Sequence, residues 1–226
     1  MPLSPQIPSA LVVLDYFGIA VFAISGALLA AEKRQTLVTF IFFAVVTGVG
    51  GGTLRDLLIG APVFWVHTNG TLLICIGAAL IVWVLSRHRF AGTALLWFDA
   101  AGLAAYATYG AAKALGYGVA PVPAFAMGVL TACVGGIIRD VLAGEPSILM
   151  RPELYVTAAA LAAGLLVGLS LIGIAGPIAA AVSWAFVARS MRSNVCEPSS
   201  RSTTDGCACT ASGPFSICRP SVAIAV

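Results

Sequence analysis

Long apolar runs separated by short polar segments dominate this sequence. A helix that spans a bilayer needs about 20 predominantly apolar residues. By that measure the pattern predicts an all-α membrane protein with seven transmembrane helices. The predicted helices are Leu11–Ala31, Leu37–Leu58, Thr71–Leu85, Thr93–Leu115, Val122–Leu142, Leu154–Ile172 and Ala175–Ala188, of which the last is the shortest.

The composition supports a membrane protein. The chain has 226 residues, of which 60% are hydrophobic and 9% are charged. Ordinary soluble domains contain about 25% charged residues. So much apolar surface cannot be buried in a core of this size, and we therefore expect the lipid bilayer to be the main solvent. A chain this apolar gives no support to nucleic-acid binding.

The second and fifth predicted helices carry the same unusual segment, in which consecutive glycines precede an Arg-Asp pair. The segments are Thr47–Asp56 and Thr131–Asp140, and their offset is 84 positions, the distance from Arg55 to Arg139. Other matched pairs at this offset are Asp15 with Asp99, Gly18 with Gly102, Ala23 with Ala107, Gly26 with Gly110, Gly60 with Gly144 and Pro62 with Pro146.

This internal match predicts two inverted three-helix repeats plus a seventh helix. Each repeat holds three spans, an odd number, so the second repeat enters the membrane from the opposite face. The predicted units are residues 11–92, residues 93–172, a seventh helix in residues 173–192, and a disordered cytoplasmic tail in residues 193–226. Inverted repeats build transporters whose functional site lies near the midplane, lined by interrupted helices.

Glycines in the middle of a span allow a helix to bend or another backbone to approach. Close packing through small residues is the structural alternative. Because the glycines recur at matched places, we predict that they line a pore and form its gate. The predicted pore residues are Gly48, Gly50, Gly51, Gly52, Gly135 and Gly136. The second copy has Ala132 and Val134 in place of Gly48 and Gly50, so we expect its helix to bend less.

Charged residues near the helix ends are predicted to pair across each repeat. The depth of each residue along its helix favours the pairs Asp15–Arg55 and Asp99–Arg139. These residues, with Asp56 and Asp140, are predicted to flank the pore mouths, or alternatively to brace the fold. Each set of three carries a net charge of −1, which mildly favours cations.

The basic residues of the short loops predict the orientation of the chain. One side of the membrane receives Lys33, Arg34, Arg87, Arg89, Arg151, Arg189 and Arg192, and the other receives only Lys113. Basic loops remain in the cytoplasm. We therefore expect the N-terminus outside the cell membrane and the C-terminus in the cytoplasm.

The sequence offers no arrangement of side chains typical of catalysis, so the chain is not expected to be an enzyme. The cysteine spacing matches no zinc site or redox motif, and no metal site or cofactor is predicted. His67 lies in a loop and is assigned no role.

The doubled Gly-Gly-x-x-Arg-Asp motif, at Gly51–Asp56 and Gly135–Asp140, resembles that of prokaryotic TRIC (trimeric intracellular cation) channels. That family is also grouped as a domain family of putative glycine transporters. The resemblance covers roughly residues 11–188. It implies a homotrimer in the lipid bilayer in which each protomer conducts K⁺ or Na⁺ between kinked helices 2 and 5. A bound lipid is compatible with this assembly.

Three functional hypotheses follow from these features. The first is a passive, K⁺-permeable channel of the cell (inner) membrane. The second is a secondary transporter of a small solute such as glycine, because inverted repeats also suit alternating access. A membrane scaffold that transports nothing is the third. The clustering of acidic residues toward helix ends favours the channel.

Overall fold

The computed structural model describes residues 9–85, 92–144 and 154–173, which form six α-helices. The helices are α1 (Ser9–Glu32), α2 (Leu37–Leu58), α3 (Asn69–Leu85), α4 (Gly92–Gly116), α5 (Pro121–Ala143) and α6 (Leu154–Leu171), with a short 3₁₀ turn at Phe64–Val66. They match the first six predicted helices to within two residues at each end. The predicted seventh helix and tail lie outside the described residues.

Three of the described helices are long and apolar enough to cross a membrane: Leu11–Glu32 within α1, together with α2 and α5. Local signals set the ends of α5. Pro121 occupies its first turn, where the missing N–H of proline costs nothing. Gly144 follows its last turn with φ 67°, and its N–H bonds the carbonyl oxygens of Asp140 and Val141.

The helices pack as two groups of three, α1–α3 and α4–α6. Within each group every helix contacts the other two. The groups meet where α1 packs against α4 and α2 packs against α5. The pattern of contacts between helices is therefore the same in the two groups.

The α1–α4 contact is built from two aromatic rings, each facing a glycine on the opposite helix. The Tyr106 ring covers Gly18, and the Phe22 ring covers Gly102. The two ring centroids lie 5.1 Å apart. Gly18 on α1 contacts Tyr106 on α4, and Phe22, later on α1, contacts Gly102, which is earlier on α4. These helices therefore run antiparallel.

The α2–α5 contact is closer still, because glycine lets the two backbones touch. A Cβ atom on Gly51 would overlap the carbonyl oxygen of Thr131, and one on Gly135 would lie 2.7 Å from the carbonyl oxygen of Thr47. We call these four residues the α2–α5 crossing. Their pairing is also antiparallel, which places the Arg55 end of α2 and the Arg139 end of α5 on opposite sides.

Both helices continue through their glycine segments without a break. Neither segment unwinds in this structure. The packing of small residues, given above as the structural alternative, is therefore realised at Gly51 and Gly135.

We predict that Gly51→Ala destabilises the protein, because its methyl group collides with backbone rather than with a flexible side chain. Overpacking of this kind costs about 1–3 kcal/mol of unfolding free energy. Gly77→Ala is the matched control, since Gly77 lies within α3 and a methyl group there would have nothing within 4 Å. Thermal unfolding in detergent tests this; equal melting temperatures for the two variants would contradict the packing role.

Candidate functional site

Two clusters of buried charged side chains lie at opposite ends of the α2–α5 pair. The first charge cluster consists of Asp15, Arg55, Asp56, Tyr109 and Lys113. The second consists of Ser25, Asp99, Arg139 and Asp140. The charged side chains of both are buried at 9% exposure or less, and ions at such depth are stable only when paired.

In the second cluster, Arg139 joins three helices. Its Nε and Nη2 atoms each lie 2.8 Å from Oδ1 of Asp140, the next residue on α5. Its Nη1 atom lies 2.5 Å from Oδ1 of Asp99 on α4 and also donates to the Ser25 hydroxyl on α1. Ser25 in turn donates to Oδ1 of Asp99 at 3.0 Å. The ion pair predicted between Asp99 and Arg139 is confirmed.

The first cluster is arranged differently. Arg55 Nε donates to Oδ1 of Asp56 at 2.8 Å, and Lys113 Nζ lies 2.8 Å from the same oxygen. The Arg55 guanidinium also lies 4.9 Å from the centre of the Tyr109 ring, a cation–π distance. Asp56 therefore receives the two positive charges of this cluster.

Asp15 and Arg55 do not form the direct ion pair that the sequence predicts, within the part of the chain that is described. The Asp15 carboxylate interacts with Arg55 and Lys113 through their charges, and with the Tyr109 side chain. Its Oδ1 atom is buried and has no hydrogen-bond partner among the described residues. Adjacency of Asp56 to Arg55 does not explain this, because Asp140 likewise adjoins Arg139, which still bonds Asp99. The surroundings differ instead: Tyr109 stands at the position that matches Ser25, and Lys113 adds a second cation.

Lys113 corrects two further expectations from the sequence. The loop pattern places it on the outer side, yet its side chain is buried and bonded to Asp56. The first cluster therefore holds two acidic and two basic side chains, and its net charge is zero rather than −1.

The predicted pore glycines face different neighbours. Gly51 and Gly135 lie at the α2–α5 crossing, and a Cβ atom on Gly50 would lie 3.1 Å from the Ile138 side chain of α5. Gly52 faces Phe64 instead. Gly48 faces α1 and α3, where its Cβ would meet Cys75, Ile19 and Ala23. Gly136 is buried on α5.

Sequence reasoning missed Ser25, Tyr106, Tyr109 and Lys113 as partners of these sites. Tyr106 is fully buried, and its hydroxyl donates to the Gly48 carbonyl oxygen at 2.8 Å. The signal was present in the repeat itself, because adding 84 to Ser25 gives Tyr109. Ser25 and Tyr109 are polar residues at matched positions of the two repeats, and this match is the signal that could have identified them as partners of the charged residues.

The described residues contain no group of three or more His, Cys, Asp or Glu side chains that could hold a metal ion. No residue set in this part of the chain therefore indicates a resident metal. At the α2–α5 crossing, the carbonyl oxygens of Thr47 and Thr131 face the opposite glycines, and the Thr47 hydroxyl is buried without a hydrogen-bond partner among the described residues.

The glycine transporter family model matches residues 12–87 and 96–171, which are the two three-helix groups. A UPF0126 membrane protein of Vibrio cholerae is 46% identical over 153 residues, covering 66% of this chain and 64% of that protein, slightly less than two thirds of its length. The UPF0126 inner membrane protein YadS of Escherichia coli is 43% identical, over 64% of this chain and 72% of that protein.

Solved structures give the same result. A TRIC trimeric intracellular cation channel orthologue from Rhodobacter sphaeroides superposes with a TM-score of 0.80 at 40% identity, covering 83% of this chain and 98% of that one. A prokaryotic TRIC channel determined in 0.5 M KCl superposes with a TM-score of 0.75 at 27% identity, covering 82% and 97%. None of these relatives has the name of an enzyme.

The two basic residues of the clusters should differ in their effect on stability. Arg139→Gln removes the cation that bonds both Asp99 and Asp140, and breaking a buried ion pair in this way costs about 3–5 kcal/mol. Lys113→Met should cost less, because Asp56 keeps Arg55. Thermal unfolding in detergent measures both; a larger loss for Lys113→Met would contradict the assignment of partners.

Proposed function

Because the chain belongs to the family that its matching model describes as glycine transporter and that includes the prokaryotic TRIC channels, we propose that it is a channel for monovalent cations. The observation that carries this proposal is the α2–α5 crossing, which lies between two buried charge clusters in a fold shared with solved cation channels. The proposed permeant ions are K⁺ and Na⁺, and we propose no cofactor.

The proposed conduction path runs between α2 and α5, from one charge cluster to the other. Gly50, Gly51 and Gly135 face this interface, and the carbonyl oxygens of Thr47 and Thr131 lie against it. Backbone contact at the crossing closes the path, so opening requires α2 and α5 to separate or slide. Glycine suits such movement because it has no side chain that must repack when the helices slide.

The charge clusters serve this path as rigid ends. Each ties its Arg-Asp pair to helices outside the α2–α5 pair. In the first cluster Lys113 on α4 bonds Asp56, and in the second Arg139 bonds Ser25 on α1 and Asp99 on α4. Motion of the crossing can therefore occur while both ends of the pair remain attached.

The proposed assembly is a homotrimer in the inner membrane, each protomer with its own pore. Large apolar side chains that are exposed on the protomer support contact with lipid or with other copies, among them Val38 on α2 and Val122 on α5, which are 77% and 79% exposed. A bound lipid is compatible with these faces.

A second candidate is a carrier for a small zwitterion such as glycine. The first charge cluster favours it by one observation: Asp15 Oδ1 and Arg55 Nη1 are both buried and lack hydrogen-bond partners among the described residues. A zwitterion offers an ammonium group to the former and a carboxylate to the latter. The channel is preferred because this cluster lies at a helix end rather than at the central crossing.

We propose that the N-terminus lies outside and the C-terminus in the cytoplasm. The burial of Lys113 supports this orientation, because it removes the only basic residue counted on the outer side. A green fluorescent protein fused to the C-terminus should fluoresce in cells, whereas an alkaline phosphatase fusion should be inactive. An active phosphatase fusion would reverse the orientation.

Planar bilayer recording of the purified trimer tests the function. A channel should show unitary K⁺ currents of about 10⁷ ions per second, whereas turnover-limited proteins typically manage about 1–10³ events per second. Saturable glycine uptake into vesicles without such currents would instead establish the carrier.

Gly50→Leu tests where the path runs. Gly50 meets only the flexible end of Ile138, so a leucine there should narrow the α2–α5 interface without a backbone collision. We expect unitary current to be lost while the trimer remains intact in size-exclusion chromatography. Gly77→Leu, on α3, should conduct normally; a conducting Gly50→Leu variant would exclude this path.

A further inference from the structure

The first charge cluster contains one buried acceptor and one buried donor that no protein group satisfies in the described part of the chain. Oδ1 of Asp15 has no hydrogen-bond partner there, and neither has Nη1 of Arg55. The two residues are 9% and 1% exposed, so bulk water does not serve them. Because a charged group buried with an unmade hydrogen bond is costly, such atoms indicate a bound ligand.

The unsatisfied donor and acceptor belong to side chains that interact with each other. Among the charged groups of the protein, Arg55 acts most strongly on the Asp15 carboxylate. Tyr109 connects the two, because its side chain hydrogen-bonds the Asp15 carboxylate and its ring centre lies 4.9 Å from the Arg55 guanidinium. One small ligand beside Tyr109 can therefore serve both atoms.

The second charge cluster shows which chemical group joins an arginine and an aspartate of this kind. There the Ser25 hydroxyl accepts a hydrogen bond from Nη1 of Arg139 and donates one to Oδ1 of Asp99 at 3.0 Å. Oδ2 of Asp99 has no partner within the described ranges, but each guanidinium nitrogen of Arg139 lies within 2.8 Å of an acidic oxygen. The hydroxyl thus completes a bridge between the two charges.

Tyr109 stands where the repeat places the counterpart of Ser25, 84 positions later. A serine hydroxyl is attached to Cβ, whereas the tyrosine hydroxyl lies at the far end of the ring. Because the Tyr109 ring lies against the Arg55 guanidinium, its hydroxyl does not join Nη1 of Arg55 to Oδ1 of Asp15. The first charge cluster keeps the two charges but has no equivalent of the serine bridge among its described side chains.

The balance of charge in the first cluster selects a neutral ligand. Asp15 and Asp56 carry two negative charges, and Arg55 and Lys113 carry two positive charges. An inorganic cation at Asp15 would be repelled by the guanidinium and ammonium groups, and an anion at Arg55 by the two carboxylates. A hydroxyl group both donates and accepts. Water is the smallest molecule that offers one, and buried water commonly satisfies polar groups that lack protein partners.

We infer that the first charge cluster binds a water molecule that donates to Oδ1 of Asp15 and accepts from Nη1 of Arg55. This water has the part that the Ser25 hydroxyl has in the second charge cluster. The inference does not depend on the proposed channel function, because the buried charges need the same partner in a channel and in a carrier.

Radiolytic labelling of the purified, full-length protein in detergent tests the water site. X-ray irradiation converts bound water into hydroxyl radicals that oxidise adjacent side chains, and mass spectrometry locates the oxidised residues. We expect oxidation of Tyr109 but not of Tyr106, the matched control. Tyr106 is also buried on α4, and its hydroxyl is bonded to the Gly48 carbonyl oxygen. Absence of oxidation at Tyr109, or equal oxidation of both tyrosines, would overturn the site.

Asp15→Leu separates bound water from bulk water that reaches Tyr109 by another route. The substitution removes the acceptor and fills its space with apolar atoms, so oxidation of Tyr109 should be lost while Tyr106 stays unlabelled. Oxidation that persists in the folded variant would contradict the inference. Should the variant fail to fold, a wild-type structure that shows ordered waters decides. A water within about 2.7–3.2 Å of both Asp15 Oδ1 and Arg55 Nη1 is expected, and a direct contact between these atoms would refute it.

Added glycine distinguishes a zwitterion from water as the occupant. In the carrier, the ammonium and carboxylate groups of glycine would take the same two atoms and displace the water. Oxidation of Tyr109 that is unchanged by glycine supports the water, whereas oxidation that is lost with glycine but not with KCl overturns it in favour of the zwitterion. A wild-type protein without K⁺ currents would overturn the channel and leave the water site standing.

Discussion

Two arginines buried within an apolar helical protein constrain the whole structure. Arg55 and Arg139 are 1% and 0% exposed, and a cation at such depth must be held by acidic groups. One acid is the next residue on the same helix in each case. The other groups come from neighbouring helices, so neutralising each arginine also fixes how α1, α2, α4 and α5 sit together. The glycines at the α2–α5 crossing allow the close approach that brings these groups within reach.

The two halves of the molecule neutralise their buried arginines differently, although the helices of the two halves pack in the same pattern. In the second cluster Arg139 reaches across to Asp99, with Ser25 between them. In the first, Tyr109 replaces the serine, Lys113 replaces Leu29, and Asp56 takes both cations. Asp15 is thereby left with a buried oxygen that has no partner among the described residues. The repeat keeps the positions of charge while the side chains around them make the two ends chemically distinct.

The sequence predicts the six described helices well because their apolar runs are local patterns. Helix ends agree to within two residues, and the depth of each residue along its helix identifies Asp99 and Arg139 as partners. The sequence fails where side chains from other helices decide the pairing: nothing in the pattern shows that Lys113 bonds Asp56 or that Arg55, unlike Arg139, does not bond the aspartate on the neighbouring helix. Lys113 is misplaced for a related reason, because a lysine near a helix end has the same pattern whether it reaches water or a buried carboxylate. The role of Gly51 depends on its facing Thr131, which only the packing of two distant helices reveals.

The glycine stripe of α2 serves two purposes at successive positions, and this has a mechanical consequence. Gly51 faces the α5 backbone and Gly52 faces the Phe64 ring, so adjacent residues form two contacts in different directions. The Phe64–Val66 turn is bonded to α2 through Thr53 and Asp56, so it moves together with α2. Asp56 is also bonded to Lys113 on α4. Movement of α2 that breaks the backbone contact at Gly51 therefore also loads the ion pair that holds α2 to α4.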